Sequence, residues 1–474
     1  MLAKPLVGMV TASPFPGSSI MVNRLVLSAF LCSISLVLPS CGTQTSVTPQ
    51  ATGGSVVKTG GLVAATGGTL TATGGTVIAT GGEGIATGGV SITGGLPSTG
   101  GSLATGGTLS TDAGMAADGG ITDVVLGTGG FAAPESKPVG YGQATTGGGN
   151  RTAVDKATWT DIQAAIDAYS GSGGLVIRYT GKFDFAGITD PCVQHTLPAQ
   201  KIEIKKKSDI TILGADGTAA NFGIHIAASS SNIIIRNMTF GLLPGGGDSD
   251  AISIEGMSGG VPKNIWIDHN TLFSSMVDCA GAGDTAFDGL IDIKKGGDMV
   301  TISYNYLHDH HKGSLNGYAD SDTEPRHVTF HHNIFENIGS RTPLQRGGHS
   351  HLFGNIFTKV SVSGINVRMG GYSLIEGNWF EDSKNIITSR DSPDQGWWEI
   401  KPSNNILVSA DFSKYGITWG TSDATLKNAD DWTTTKAFPV ALGYTYKVDS
   451  AQCVKDGLAA VAGAGKGLAT LKCD

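Results

Sequence analysis

Four aspartates stand in two close pairs near the middle of the chain. The segment LPGGGDSDAISI offers Asp248 and Asp250, two residues apart, and FDGLIDIKKG offers Asp288 and Asp292. Carboxylates crowded together raise one another's pKa unless a cation neutralises them. An oxygen-rich, strongly negative set of this kind suits Ca2+. Two solvated acidic turns would show the same spacing. Three cations follow: Lys312 after HDHH, then Arg341 and Arg346 in RTPLQRGG. Five residues apart, the two arginines fall on opposite faces of a strand unless a turn at Pro343 re-aims them. Carboxylates and cations on one face suit a polyanionic sugar. Metal bridges sugar carboxylate to protein carboxylate, while Arg and Lys bind the sugar directly. The chain itself carries a net charge of −8, so a basic nucleic-acid-binding face is not expected. An acidic protein working on an acidic polymer needs the cation as mediator.

Other residue sets carry less chemistry. His308, His310 and His311 could be imagined around zinc, but strand alternation sends His310 and His311 to opposite faces. His331 and His332, beside Asn333, read as stacked structural residues. Asp268 and His269 of WIDHN look like a general acid–base pair, yet they belong to the repeating part of the chain and read as structural. Of six cysteines, Cys32 and Cys41 lie in an N-terminal segment, leaving Cys192, Cys279, Cys453 and Cys473. None shows the CxxC spacing of a zinc site, and four cysteines in an oxidising compartment allow three disulfide pairings.

The elements that must position these groups are short and β-rich. The runs SDITILG, SNIIIRNMTF, KNIWIDHNTLF, DMVTISYNYLH, RHVTFHHNIFEN, HSHLFGNIFTKV and YSLIEGNWFED each end in Asn or a turn. Asn237, Asn270, Asn305, Asn333, Asn355 and Asn378 recur at intervals of 33, 35, 28, 22 and 23 residues. A floor of 22–23 residues with variable surplus is what stacked coils with inserted loops produce. Stacked Asn side chains can bond one another and the turn backbone, so these residues read as structural. The two longest intervals hold the acidic pairs, as expected of insertions on a binding face. Ahead of the coils, Trp159, Ile162, Ile166 and Tyr169 share one face of a helix capped by Thr158 with Asp161. The expectation is an all-β, single-stranded right-handed parallel β-helix with inserted loops and an N-terminal capping helix.

The first 139 residues are of another kind. Leu25 to Leu38 is an apolar run of 14 residues after the short positive segment Met21–Arg24, which suits a signal-peptide core better than a membrane span. Met21 reads as the better initiator, with residues 1–20 upstream of it. The run ends in Leu38-Pro39-Ser40-Cys41, which resembles a bacterial lipoprotein cleavage box with Cys41 lipidated, although Pro39 is an unusual occupant. Plain cleavage and free secretion is the alternative. From Gly42 to Val139 the chain repeats Thr-Gly-Gly with a seven-residue period from Thr52 to Thr87, then at Thr93, Thr99 and Thr105. A glycine pair in every repeat makes helix costly, and Phe131 is the only aromatic residue there, so no core can form. The segment reads as a disordered tether with a reach of roughly 50–60 Å. The expected organisation is a signal or lipoprotein segment at 1–41, a Gly/Thr-rich linker at 42–139, and a β-helix domain at 140–474.

WIDHN, DGLIDIKKGGDMVTISYN, HDHHKGSLNG and RTPLQRGG, in that order, resemble the polysaccharide lyase family 1 pectate lyases. The similarity runs on through GINVR, LIEGNWFE and TSRDSP to AQCVKDGL and covers 140–474. The resemblance implies Ca2+-dependent β-elimination on polygalacturonate, giving 4,5-unsaturated oligogalacturonates. Calcium ligands are implied at Asp248, Asp250, Asp288 and Asp292, although Asp288 stands where some relatives have Glu. It implies Arg341 as catalytic base, Lys312 and Arg346 as binders of substrate carboxylates, and the pairings Cys192 with Cys279 and Cys453 with Cys473. His310 and His311 depart from apolar or small residues in some members. Arginine as a base conflicts with its ordinary pKa above 12 and requires neighbouring cations, burial or calcium to depress it. A monomeric bacterial enzyme is implied, secreted or held at the outer surface as a lipoprotein, touching the membrane only through that anchor. The rivals are a pectin lyase, which needs no calcium because an ester already acidifies C5–H, and a non-catalytic β-helical surface adhesin. A polygalacturonase would need clustered catalytic carboxylates and, by resemblance, motifs such as GHG and RIK, which are absent.

Overall fold

The computed structural model describes residues 131–473 apart from 133, 172, 390, 401–403, 409–416, 420–423 and 427–435. The signal segment, Cys41 and the Thr-Gly-Gly repeats lie outside the described residues.

From Ser231 to Val408 short strands are laid down in strict rotation among three sheets. Lys263–Asp268, Thr271–Phe273 and Ile291–Lys294 form one coil, and Asp298–Ser303, Tyr306–Lys312 and Ser314–Asn316 form the next. Like strands of successive coils pair in parallel, building sheets of ten, seven and eight strands among the described residues. This is a parallel β-helix. Alternation along each strand sends every second residue inward, and the register stacks those residues in rows. Ile235 pairs with Ile267, Ile267 with Ile302 and Ile302 with Phe330, all fully buried. Phe335, Phe357 and Phe380 stack at 5.1 and 5.0 Å with near-parallel rings.

The asparagine ladder exists with one correction. Asn270, Asn305, Asn333 and Asn355 each donate a side-chain N–H to the Oδ1 of the next Asn at 3.0 Å, and Asn378 donates likewise to Asn405 at 3.1 Å. Each Oδ1 also accepts the backbone N–H of the preceding ladder residue, as Asn305 does from Asn270 at 2.9 Å. Asn237 is not a member. Asn270 Oδ1 accepts the N–H of Met238 instead, so Met238 holds the ladder position and Asn237 is one residue out of register. Asn405, absent from the sequence pattern, closes the described series.

The helix Trp159–Ala168 covers the open N-terminal end, with Ile162 and Ile166 buried in the main core. Thr158 caps it, accepting the Asp161 N–H at 3.1 Å and donating to the Asp161 carboxylate at 2.7 Å. The helix Ala451–Gly457 packs on the seven-stranded sheet beside Trp379 and Tyr304. Cys192 is bonded to Cys279, and Cys453 to Cys473. The strand Phe131–Ala132, ahead of the boundary expected at Gly140, pairs antiparallel with Thr470–Leu471.

Candidate active site

The candidate residues meet on the outer face of the eight-stranded sheet, at the corner where the chain enters it. Corner backbones of successive coils bond one another: Ala251 N–H to Gly289 O, Leu290 N–H to Gly313 O, and Ser314 N–H to Arg341 O. Asp250 precedes the strand Ile252–Glu255, Asp288 precedes Ile291–Lys294, Lys312 precedes Ser314–Asn316, and Arg341 precedes Leu344–Arg346. Residues 91 apart in sequence, from Asp250 to Arg341, thus line up at one edge of four successive strands.

On the strand Ile291–Lys294, Ile291 and Ile293 enter the core while Asp292 and Lys294 face outward. Asp250, Asp288 and Asp292 each present a carboxylate oxygen, all within 4.8 Å of one another. Gly289 permits this approach, because a Cβ there would lie 2.4 Å from Asp292 Oδ1. Asp248 ends the short turn Gly246–Asp248, and its side chain lies outside the described residues.

Two of the three carboxylates, Asp288 and Asp292, are under strain as charges. Burial, then the negative charge of Asp250, pushes Asp288 up to about 6. The same two causes push Asp292 well above the usual carboxylate range. Asp250 Oδ1 and Asp292 Oδ1 are buried without a hydrogen-bond partner among the described residues. Lys294 enters the cluster, 2.5 Å from Asp250 Oδ2 and 3.8 Å from Asp292 Oδ2. Burial works against its ammonium, but Asp292 and Asp250 outweigh it and hold its pKa above the lysine range. A hard divalent cation fits such a donor set, which consists of oxygens only, two of them orphaned and all crowded.

The cations flank the acids. Lys312 Nζ lies 3.8 Å from Asp288 Oδ1. Arg341 has a left-handed backbone (φ 65°) just before Pro343, which re-aims it as the spacing required. Its positive charge reaches the Asp292 carboxyl. No ion pair or side-chain hydrogen bond engages its guanidinium among the described residues. Arg346 is held firmly: its Nε donates to Asp320 Oδ1 at 2.8 Å and its Nη1 to Gly317 O at 2.8 Å. The fully buried Arg326 braces the same strand by donating to Arg346 O, while pairing with Asp322.

Three further residues belong here. Lys294 was legible, since it stands two residues from Asp292 on the same strand and so on the same face. Arg368 pairs in register with Arg346 one coil on, and burial, then Arg346, lowers its pKa to about 10. Nothing in GINVR announces that register. His310 is wholly buried and donates its Nε2–H to Asp288 O at 2.6 Å. Burial lowers its pKa to about 3, so it is a neutral prop under the acidic corner. His311 is half-buried on the opposite side, 3.4 Å from Asp278.

Asp268 and His269 are elsewhere. Both are buried at the end of a strand of the ten-stranded sheet, where Asp268 accepts from Ser303, His269 and Arg236 at 2.6–2.7 Å. Burial opposes the Asp268 charge, but His269 and Arg236 hold its pKa at about 2. The set is satisfied internally and has no open side.

Residues 121–467 match the family model described as pectate lyase. Among curated proteins, pectate lyase 3 of Pectobacterium carotovorum subsp. carotovorum is 45% identical over 351 residues, covering 70% of this chain and 91% of its own length. Pectate lyase B of Dickeya chrysanthemi is 44% identical with the same coverage. Among solved structures, pectate lyase II of Xanthomonas campestris pv. campestris is 56% identical, with a TM-score of 0.66 over 70% of this chain and all of its own. A mutant of pectate lyase C bound to pentagalacturonic acid is 42% identical, with a TM-score of 0.62 over 71% and 99% of the two chains.

Proposed function

The chain belongs to the pectate lyase family and cleaves polygalacturonate by β-elimination, and we propose how its own residues carry that reaction. In galacturonate the C5 proton lies α to the C6 carboxylate, and the O4 glycosidic bond is β to it. Arg341 takes the C5 proton. The electron pair left on C5 becomes the C4–C5 double bond as O4 departs with the C4–O4 pair. Negative charge passes through the C6 carboxylate on the way, and Lys312 lies beside the acids to meet it. Arg346, held by Asp320 and Gly317, binds a neighbouring carboxylate through its planar fork. Lys312, Arg346 and Arg368 make a crowd of cations that Arg341 shares.

Asp248, Asp250, Asp288 and Asp292 are the residues that would hold calcium. Bound there, the ion would neutralise substrate carboxylate charge that the acidic cluster alone would repel. The observation that carries this reading is the meeting of three desolvated carboxylates with an otherwise unengaged guanidinium at one corner of the sheet. A pectin lyase would have no use for the carboxylates, and an adhesin none for the guanidinium.

The test is ultraviolet absorbance of unsaturated product when the purified chain meets polygalacturonate, with calcium and with a chelator. Product with calcium and none with chelator is expected. Normal turnover under chelation would remove the metal from the scheme. We read Cys41 as the lipidated first residue of a mature bacterial lipoprotein, so that polymer too large to import is cut outside the envelope.

A further inference from the structure

The outer face that carries the acidic corner continues past it toward the first coils. The strands Lys201–Lys205, Gly223–Ala227, Ile252–Glu255 and Ile291–Lys294 lie side by side in the eight-stranded sheet. Ile202 and Ile204 enter the core, so Lys201, Glu203 and Lys205 face outward. Register carries one outward row from Asp292 through Ser253 and His225 to Glu203. Beside this row opens a pocket of about 470 Å3, lined by Gln200, Lys201, His225, Asp250, Asp288 and Lys294 among others. Asp250, Asp288 and Lys294 belong to the acidic corner itself, so pocket and cleft are one surface. Gly223 keeps the floor bare: it pairs with Lys201, and a Cβ there would lie 2.3 Å from Asp250 O.

The acids of this pocket have cations close by. Glu255, also on its wall, pairs with Lys295 at 2.6 Å, Asp250 pairs with Lys294 at 2.5 Å, and Asp288 lies 3.8 Å from Lys312. His225 turns its ring nitrogens toward Glu203 and Glu255, at 3.5 and 3.2 Å. Lys201 is held least. Among the described residues the one carboxylate within ion-pair reach of its ammonium is Glu203, at 4.0 Å, too long for a hydrogen bond. Both side chains are nearly half exposed, at 46 and 47%. No side-chain hydrogen bond engages Gln200 or Lys201 among the described residues.

We propose that this pocket is a distal subsite for one galacturonate unit of the bound polymer, with Lys201 holding its C6 carboxylate and the Gln200 amide its hydroxyls. The proposal rests on the pectate lyase reading above. A sugar chain laid across the strands advances by about one unit per strand spacing of ~4.8 Å. Lys201 stands two strands from Ile252–Glu255, whose leading end carries Asp250, so it meets a unit about two places from the one at the acidic corner. Arg346 stands on the other side, two strands beyond Ile291–Lys294. The corner thus has a carboxylate-binding cation on either flank, along the line that a polyanion crossing the sheet must follow. A substrate carboxylate at Lys201 displaces only the loose Glu203 contact. Long chains reach this subsite while keeping the scissile bond at the corner, so the pocket makes chain length a determinant of rate.

The experiment compares kcat/KM on hexagalacturonate and on trigalacturonate, at saturating calcium, for wild type, Lys201→Ala and Lys201→Arg. The ratio of the two values for one preparation cancels any difference in the fraction folded. Lys201→Ala is expected to lower the hexamer-to-trimer ratio about 10-fold, the worth of one charge-assisted hydrogen bond. Lys201→Arg keeps the charge and is expected to keep most of the ratio. An unchanged ratio in Lys201→Ala, or an equal fall in Lys201→Arg, would overturn the proposal. Wild-type enzyme that releases no unsaturated product from polygalacturonate would instead refute the underlying reading.

Discussion

Arg341 and Arg346 differ in what holds them, and that difference sorts their roles. Arg346 is fixed by Asp320 and Gly317, as a carboxylate clamp should be, whereas no ion pair or side-chain hydrogen bond holds the Arg341 guanidinium among the described residues. Arg341→Lys keeps the charge but shortens and reshapes the head, so it should lower kcat by about 10²–10⁴-fold, the worth of a positioned base. Arg346→Lys should act mainly on KM. Near-normal kcat in Arg341→Lys at saturating calcium would remove it from the base role. At the same scale, Glu135 carries a prediction about stability. It is half-buried beside Asp268, its buried Oε2 has no hydrogen-bond partner among the described residues, and desolvation, then Asp268, pushes its pKa from 4.5 to about 8. An acid raised in the folded state keeps its proton there while the unfolded chain releases it. Stability is therefore full below about 4.5 and is lost as pH rises to about 8. The loss amounts to at most roughly 5 kcal/mol. Glu135→Gln should melt close to wild type at low pH and above it in alkali. Parallel melting curves of the two proteins across that range would show that Glu135 does not titrate in this way.

The coil is the element that repeats, and the Asn ladder is its internal polar seam. Asn305 Oδ1 accepts two N–H groups of Asn270, while its Nδ2 donates to Ile267 O and Asn333 Oδ1. Asn305→Ala would leave several buried groups unpaired at once, at about 1–3 kcal/mol each, so a loss of roughly 3–5 kcal/mol is expected. The urea midpoint should fall with little change in slope. A shift under about 1 kcal/mol would mean that water replaces the seam. The corner loops show the opposite economy. Their backbones bond coil to coil, which sets Asp250, Asp288, Lys312 and Arg341 in line.

For the whole molecule, the cleft and the core are built by different residues. Calcium chelation should therefore abolish lyase activity while far-ultraviolet circular dichroism stays β-rich. Asp292→Ala should behave like chelated wild type and be partly rescued by excess calcium. Loss of the β signal on chelation would make the metal part of the fold rather than of the cleft. The lipid anchor is tested separately: Cys41→Ser should move the protein from the membrane fraction to the medium. An unchanged distribution would favour plain secretion.

Much of this protein was legible along the chain because alternation is a local property. The period of two placed Ile291 and Ile293 inside and Asp292 outside, and it separated His310 from His311. The recurring Asn implied a stack of coils, and the Thr158–Asp161 cap with its apolar face implied the first helix. Register between coils is not local, because it depends on how each loop closes. One residue of slip put Met238, not Asn237, on the ladder, and pairing across coils brought Arg368 beside Arg346. The hold of Asp320 on Arg346 and the placing of Glu135 beside Asp268 arise from the same source. Each joins segments that sequence separation makes strangers, and only the stacked coils bring them within a few ångströms.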